Sequence, residues 1–270
     1  MAEFYLLANT TPSQMFGCVI KTETKTIVFD GGTVGDSAQL DAFLRKNAVS
    51  HVDAWFFTHP HHDHIGCFCE LTQTAKDIKI ENIYHAFPPI DELKKRNPRV
   101  DLETKLWESI DTWDKYGKVH KLSRGDVFTF DGVTVRVLRI YKEGINENFI
   151  NNSSAVYRIE NTATGKSILL LGDLGTEGGE EVMKECPREL LCADYTQMAH
   201  HGQNGVSREF YEYIAPKRCI WAAPDWIWDN NVGTGFDKGP FNTVRTREWM
   251  SALGVTEHYI EKDGIQKIEF

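Results

Sequence analysis

Short apolar runs and amphipathic stretches alternate along this chain. Met15 to Lys21 and Lys25 to Asp30 are rich in β-branched and aromatic residues on either side of a short polar turn, and predict two strands. Asp36 or Ser37 stands where a helix cap is expected. Leu40, Phe43 and Leu44 follow on one face and predict a helix to about Asn47. Val52 to Phe57 predicts the next strand, Ile65 to about Ala75 a helix, and Ile80 to Ala86 a further strand. A polar segment, Pro88 to Pro98, leads into a helical pattern from about Asp101 to Tyr116, where Leu102, Leu106, Ile110 and Trp113 recur at three- and four-residue spacing. Residues 87–118 thus form a helical insertion, packed on the core or laid as a lid over a site.

The second half repeats the alternation. Phe128 to Val135 predicts a hairpin around Asp131-Gly132. Ser154 to Ile159 and Lys166 to Leu171 predict a second strand pair, and Glu177 to Cys186 a helix. Ser207 is placed to cap a helix through Ile214 that stops before Pro216. Arg218 to Ala222 reads as a short strand, Thr243 to Leu253 as a helix closed by Gly254, and the chain end as a hairpin around Asp263-Gly264. Strands alternating with helices twice over point to two sheets covered by helices, an α/β architecture. No repeat or linker interrupts the pattern, so residues 1–270 read as a single domain.

Thr58-His59-Pro60-His61-His62-Asp63-His64-Ile65-Gly66 carries the candidate chemistry, because four His and one Asp fall within six positions after an apolar run. Imidazole and carboxylate are the ligands that hold Zn, Mn or Fe at neutral pH. A strand ending in a tight loop can aim His59 and His61 at one metal and Asp63 and His64 at a second, ~3.5–4 Å away. Further ligand types recur downstream in Leu170-Leu171-Gly172-Asp173 and in Met198-Ala199-His200-His201-Gly202. Cys67 and Cys69 follow the loop as a C-x-C pair, read as packing residues rather than ligands. The helix from Ile65 would turn its positive end toward substrate anions.

The H-x-H-x-D-H block, the "LLGD" strand end, the "HHG" strand end and the early strand Thr26 to Gly32 together resemble the metallo-β-lactamase superfamily, over most of the chain from Phe16 to about Gly202. The resemblance implies an αββα sandwich of two mixed sheets flanked by helices, with the site at one edge of both sheets. It also implies two divalent metal ions, Zn favoured and Mn or Fe possible. His59 and His61 would hold the first, Asp63 and His64 the second, and Asp173 would bridge them. One of the pair His200 and His201 would complete the second; His200 is the expected ligand, and His201 the expected substrate contact. Asp30 and Asp194 are expected to orient ligand imidazoles or to serve as strand-end turn carboxylates. Many family members carry a further His between the first block and the bridging Asp. Here that stretch is Asn148-Phe149-Ile150-Asn151-Asn152-Ser153-Ser154, without a His; either Asn152 offers an amide oxygen instead, or water and substrate complete the first metal. In this it resembles the nuclease-like domain of DNA-uptake proteins. His85 and His120 fall at the wrong place in the order to substitute.

The remaining features narrow the function classes. Net charge is −9, which weighs against a broad surface for duplex nucleic acid. No apolar stretch approaches the ~20 residues of a membrane span, and no secretory leader pattern opens the chain; a cytoplasmic protein is expected. Its six Cys are scattered and read as reduced thiols. No G-x-S-x-G elbow or P-loop is present. Trp221, Trp226 and Trp228 form an aromatic run that lines a pocket or packs the core. The leading expectation is a binuclear hydrolase of a phosphodiester or similar small anionic ester, with Asp63 accepting a proton or orienting the attacking water. The alternatives are hydrolysis of a carbonyl compound (lactone, thioester or β-lactam) and a metal-bearing binding or sensor protein without turnover.

Overall fold

The computed structural model describes residues 2–96 and 109–270. Strands β1 (Glu3–Leu6), β2 (Gly17–Lys21), β3 (Thr26–Asp30), β4 (His51–Phe56), β5 (Lys79–His85) and β6 (Lys118–Lys121) build the first sheet. Strands β7 (Val127–Phe130), β8 (Val133–Arg139), β9 (Val156–Asn161), β10 (Ser167–Leu170), β11 (Tyr195–Gln197), β12 (Cys219–Trp221) and β13 (His258–Ile260) build the second. The last strand, β14 (Gln266–Glu269), returns to the first sheet and pairs with β1. The spatial orders are β14-β1-β2-β3-β4-β5-β6 and β13-β12-β11-β10-β9-β8-β7. Each sheet is mixed: β3 to β6 run parallel, as do β10 to β13, and the other neighbours are antiparallel.

Side-chain alternation along the central strands decides the layering. In β3 and β4, Ile27, Phe29, Ala54 and Phe56 face the second sheet, where they meet Tyr157, Ile168 and Ile220. Val28 and Trp55 point the other way, onto helices α1 (Ser37–Lys46) and α2 (His62–Thr74). Both faces of these strands are therefore buried, which explains their unbroken apolar runs. The outer face of the second sheet carries Leu169 and Trp221 against Val182 of helix α4 (Thr176–Glu185), Phe210 of α6 (Arg208–Ile214) and Met250 of α8 (Thr243–Ala252). Shorter helices are α3 (Ile90–Arg96), α5 (Arg188–Leu191) and α7 (Asp225–Trp228). The result is the expected αββα sandwich. None of the described helices is long and apolar enough to cross a membrane.

Several elements depart from the sequence reading. β13 and β14 do not form a hairpin. A 3-10 turn, Glu261–Asp263, carries the chain from one sheet to the other, a change of partner that no local turn signal encodes. β1 and β6 were not expected; each is four residues long, too short to show a period. α2 starts at His62, three residues early, so that Asp63 and His64 ride on its first turn. Within the polar segment 88–98 lies α3. The expected helix 101–116 falls largely outside the described residues, with Leu102 and Leu106. Its end, Ser109–Lys115, is a 3-10 helix, and Trp113 is buried beside Phe57 and Phe68.

Candidate metal centre

The ligand loop follows β4 and is fixed by the end of the parallel neighbour β3. Asp30, at φ 53°, accepts hydrogen bonds from Thr58 N at 2.8 Å and Thr58 Oγ1 at 2.6 Å. Asp30 Oδ2 also faces His64 Nδ1 at 2.7 Å, which puts the proton on Nδ1 and leaves the Nε2 lone pair exposed to the site. His64 Nε2 lies 3.3 Å from Asp173 Oδ1. His59 Nε2 lies 2.9 Å from His61 Nδ1 and 3.7 Å from Asp173 Oδ2. Asp63 Oδ2 accepts from Gln14 Nε2 at 2.8 Å, and Gln203 Nε2 in turn donates to Gln14 Oε1 at 2.7 Å.

The second sheet supplies the opposing wall, again from the carboxyl ends of parallel strands. Asp173 follows β10 through Gly172, and its backbone N–H donates to Ser154 Oγ at 3.1 Å. Gln197 of β11 braces the same turn, accepting from Leu171 N at 2.8 Å and donating to Gly172 O at 3.0 Å. His201 follows β11. Its Nδ1 meets Ala222 O at 2.8 Å, and its Nε2 lies 3.3 Å from Asp63 Oδ2 and 3.4 Å from Asp173 Oδ2. Gly202, at φ 76°, lies against Trp221, whose ring a Cβ there would meet at 2.4 Å; that close approach explains the glycine after the His pair.

Two groups of ligand atoms result, each within 4.8 Å: Asp63, His64, Asp173 and His201, and His59, His61 and Asp173. Their electrostatics fit a cation. His64 Nε2, His201 Nε2 and both Asp173 oxygens are buried without a hydrogen-bond partner. Such converging lone pairs are costly unless a proton or metal lies between them. Burial works against ionisation of Asp173, but His64, His201 and His59 hold its carboxyl well below the usual range. The same balance of burial against His201 and His64 holds Asp63 down. Burial opposes charge on His201 too, yet Asp173 and Asp63 push it up to about 10, and Asp173 and Asp30 raise His64 against its own burial. Burial and the neighbouring His64 depress His59. The spacing suits bonds of ~2.0–2.2 Å in a tetrahedral shell, whose ligands sit about 3.3–3.6 Å apart.

Two expectations change, and for Asp194 and the Trp residues one of the two alternatives holds. His201, not His200, joins Asp63 and His64, because its ring enters the buried side of the turn while His200 faces the opening with Nε2 3.9 Å from Asp173 Oδ2. Asn152 is not aimed at the site. Its Oδ1 accepts from Gly175 N at 2.9 Å and Gly178 N at 3.0 Å, and its Nδ2 donates to Glu147 O, so it secures the start of α4. Asn151 faces His200 instead. Asp194 sits at the far end of the strands, bonded to Ser167 and Lys217, where it acts as a strand-end carboxylate. Trp226 and Trp228 pack on the outer core: Trp226 against Phe241, Trp228 edge-on to Trp221 with Arg247 over its ring. Cys67 and Cys69 are buried in the core beneath the loop, and His85 and His120 belong to the first sheet, outside both groups. Gln14, Thr58 and Gln203 escaped the sequence reading; only Thr58, adjoining the His block, carried a positional signal.

Residues 17–143 match the family model of the metallo-β-lactamase superfamily. The chain is 30% identical over 182 residues to ComE operon protein 3 of Bacillus subtilis (strain 168); the match takes in 67% of this chain and spans 21% of that protein's length. Among solved structures, it superposes on the metallo-β-lactamase fold protein YhfI from Bacillus subtilis with TM-score 0.60 at 13% identity, covering 99% of this chain and 100% of that one. A diphosphatase from the PhnP family gives TM-score 0.53 at 12% identity, covering 100% and 98%. The chain belongs to the metallo-β-lactamase superfamily.

Proposed function

We propose that this superfamily member is a metal-dependent hydrolase that uses two divalent ions, Zn favoured, to cleave a phosphodiester or related small anionic ester. The observation that carries the reading is a single buried carboxylate, Asp173, shared by two adjacent ligand groups, with both its oxygens and the Nε2 atoms of His64 and His201 buried and without a hydrogen-bond partner. When bound, a pair of such ions supplies Lewis acidity and brings water into its nucleophilic range near pH 7. The protein's own residues do the rest. Asp30 and the Ala222 carbonyl fix the tautomers of His64 and His201. Asp63, held below its ordinary range and steered by Gln14, is the carboxylate that orients the attacking water or takes its proton.

A cleft of about 400 Å³ beside His61 supports an anionic substrate. It is lined by Arg96, Asn146, Asn148, Phe149 and Ile150, with the Arg96 guanidinium 4.9 Å above the Phe149 ring. Among the described residues the cleft's one Arg, shared with Glu92 at 3.2 Å, sits with amides and an aromatic ring, a lining that suits a small ester with a polar tail. The PhnP-family diphosphatase, a fold relative, gives the phosphate reading a precedent. The test is turnover of bis(p-nitrophenyl) phosphate by protein purified without chelator, with added Zn or Mn, beside a lactone, a thioester and a β-lactam. Phosphodiester turnover that disappears with EDTA is expected; turnover confined to the carbonyl substrates would overturn the reading.

A further inference from the structure

Arg96 is the one Lys or Arg in the described lining of the cleft beside His61. It ends α3, one turn beyond Glu92, whose Oε2 accepts from Arg96 Nε at 3.2 Å. Arg96 Nη1 donates to Ile145 O, and the guanidinium carbon stands 4.9 Å from the centre of the Phe149 ring. These contacts tie α3 to the facing wall, residues 145–150, and fix the direction of the guanidinium fork. Arg96 Nη2 makes no hydrogen bond with a described residue.

The facing wall is backed by a second carboxylate. Glu177, in the first turn of α4, accepts from Asn146 N at 3.0 Å, Asn146 Nδ2 at 3.3 Å and Glu147 N at 2.8 Å. One guanidinium is thus set against two carboxylates, Glu92 in contact with it and Glu177 behind Asn146. What the cleft offers a ligand is the amides of Asn146 and Asn148, the Phe149 ring and the Arg96 Nη2 donor. Such a lining hydrogen-bonds neutral oxygens and packs on a ring, but it leaves a second negative charge without a partner and close to Glu92. A phosphodiester carries one charge, on the phosphoryl group that is attacked. Its arm is neutral unless a further phosphate is attached.

We propose that Arg96 and Glu92 set the specificity of the cleft: Arg96 Nη2 holds a neutral, polar arm of the ester beside Phe149, and Glu92, by cancelling the guanidinium charge, turns away an arm that carries a second phosphate. The proposal rests on the phosphodiester reading above. Two probes test it, the p-nitrophenyl ester of a nucleoside phosphate and the same ester with a second phosphate on its sugar, which share the scissile bond and differ in the charge of the arm. The readout is kcat/KM of the Zn-loaded protein or, should neither probe turn over, its calorimetric affinity for each. Wild type is expected to favour the singly charged probe by about 10-fold or more. Glu92→Gln uncovers Arg96 and should narrow that preference by about 3–5-fold, chiefly through KM, an effect that fades at high salt. Arg96→Gln should raise KM for the singly charged probe by about 3–10-fold with kcat little changed, and widen the preference. A merely structural role would weaken both probes alike, and the thermal transition of each variant reports a folding defect. Equal handling of the two probes by wild type, or a preference that a folded Glu92→Gln leaves unchanged, would overturn the assignment. No turnover of either probe, with the preference present in binding, would instead overturn the proposed reaction and leave Arg96 and Glu92 as the selecting pair.

Discussion

The two ligand groups share Asp173 and differ in nearly everything around it. Every member of the four-residue group is buried, and its two imidazoles are locked through Nδ1, His64 by Asp30 and His201 by the Ala222 carbonyl. The three-residue group reaches the surface at His61, next to the cleft. One centre is thus held ready by its surroundings, while the other stays open where a substrate would enter. On the proposed two-ion reading, such a site would separate the task of retaining an ion from the task of meeting the substrate.

The largest way to break the contrast is Asp173→Ala, which removes the ligand common to both groups. Metal content should fall toward zero, and turnover should drop by on the order of 10³-fold or more, the several kcal/mol that Lewis-acid stabilisation supplies. Elemental analysis and the phosphodiester assay check both, and retained metal would mean that the groups do not share it. Asp30→Asn sharpens the contrast instead. It disturbs the tautomer and aim of His64 directly and the Thr58 end of the ligand loop indirectly, so the ion of the four-residue group should weaken by about 10–100-fold and that of the other group by less, as competition with a chelator would show.

Proton release draws the same line at smaller scale. Without metal, His201 is pushed up to about 10 and His64 is raised, whereas His59 is depressed. Loading the four-residue group at pH 7 should therefore expel about one to two protons, whereas His59 of the other group should contribute almost none; calorimetry in buffers of different ionisation enthalpy reads the difference. The sign for stability follows. The His201 proton is held more tightly folded than unfolded, where its pKa is about 6.5. It stabilises the metal-free protein fully below that pH, and the contribution is lost as pH rises toward about 10. Thermal melts in EDTA should decline across that window, and those of the metal-loaded protein should not. Gly202→Ala gives the smallest effect on metal binding. Contact with Trp221 should cost about 1–3 kcal/mol in the thermal transition with both ions still bound.

Legibility in the sequence tracked locality. His59, His61, Asp63 and His64 lie in one loop, so their spacing alone announces a site, and the apolar runs of β3 and β4 announce strands buried on both faces beneath it. Errors fell where a one-residue shift reverses the meaning. On the 3-10 turn Asn151–Ser153, successive side chains point about 120° apart, so Asn151 meets His200 while Asn152 turns away to α4. In the His200-His201 pair the left-handed backbone decides which ring is inside, and a sequence does not display φ. Gln14 and Gln203 reach Asp63 only because the fold brings distant loops together, and an isolated glutamine carries no pattern to flag it.

The pairing of β14 with β1 has a mechanical consequence. Glu3 stands opposite Glu269 and Leu6 opposite Gln266, so the outer ends of the two strands emerge on the same side. Tension applied there would open the ladder like a zipper, one hydrogen bond at a time, rather than shear all of them at once. β14 has β1 as its single strand neighbour and should peel away at low force, drawing Ile268 and Phe270 out of the core between the sheets, while the ligand loops, anchored deeper in both sheets, keep their shape until the sandwich itself gives way.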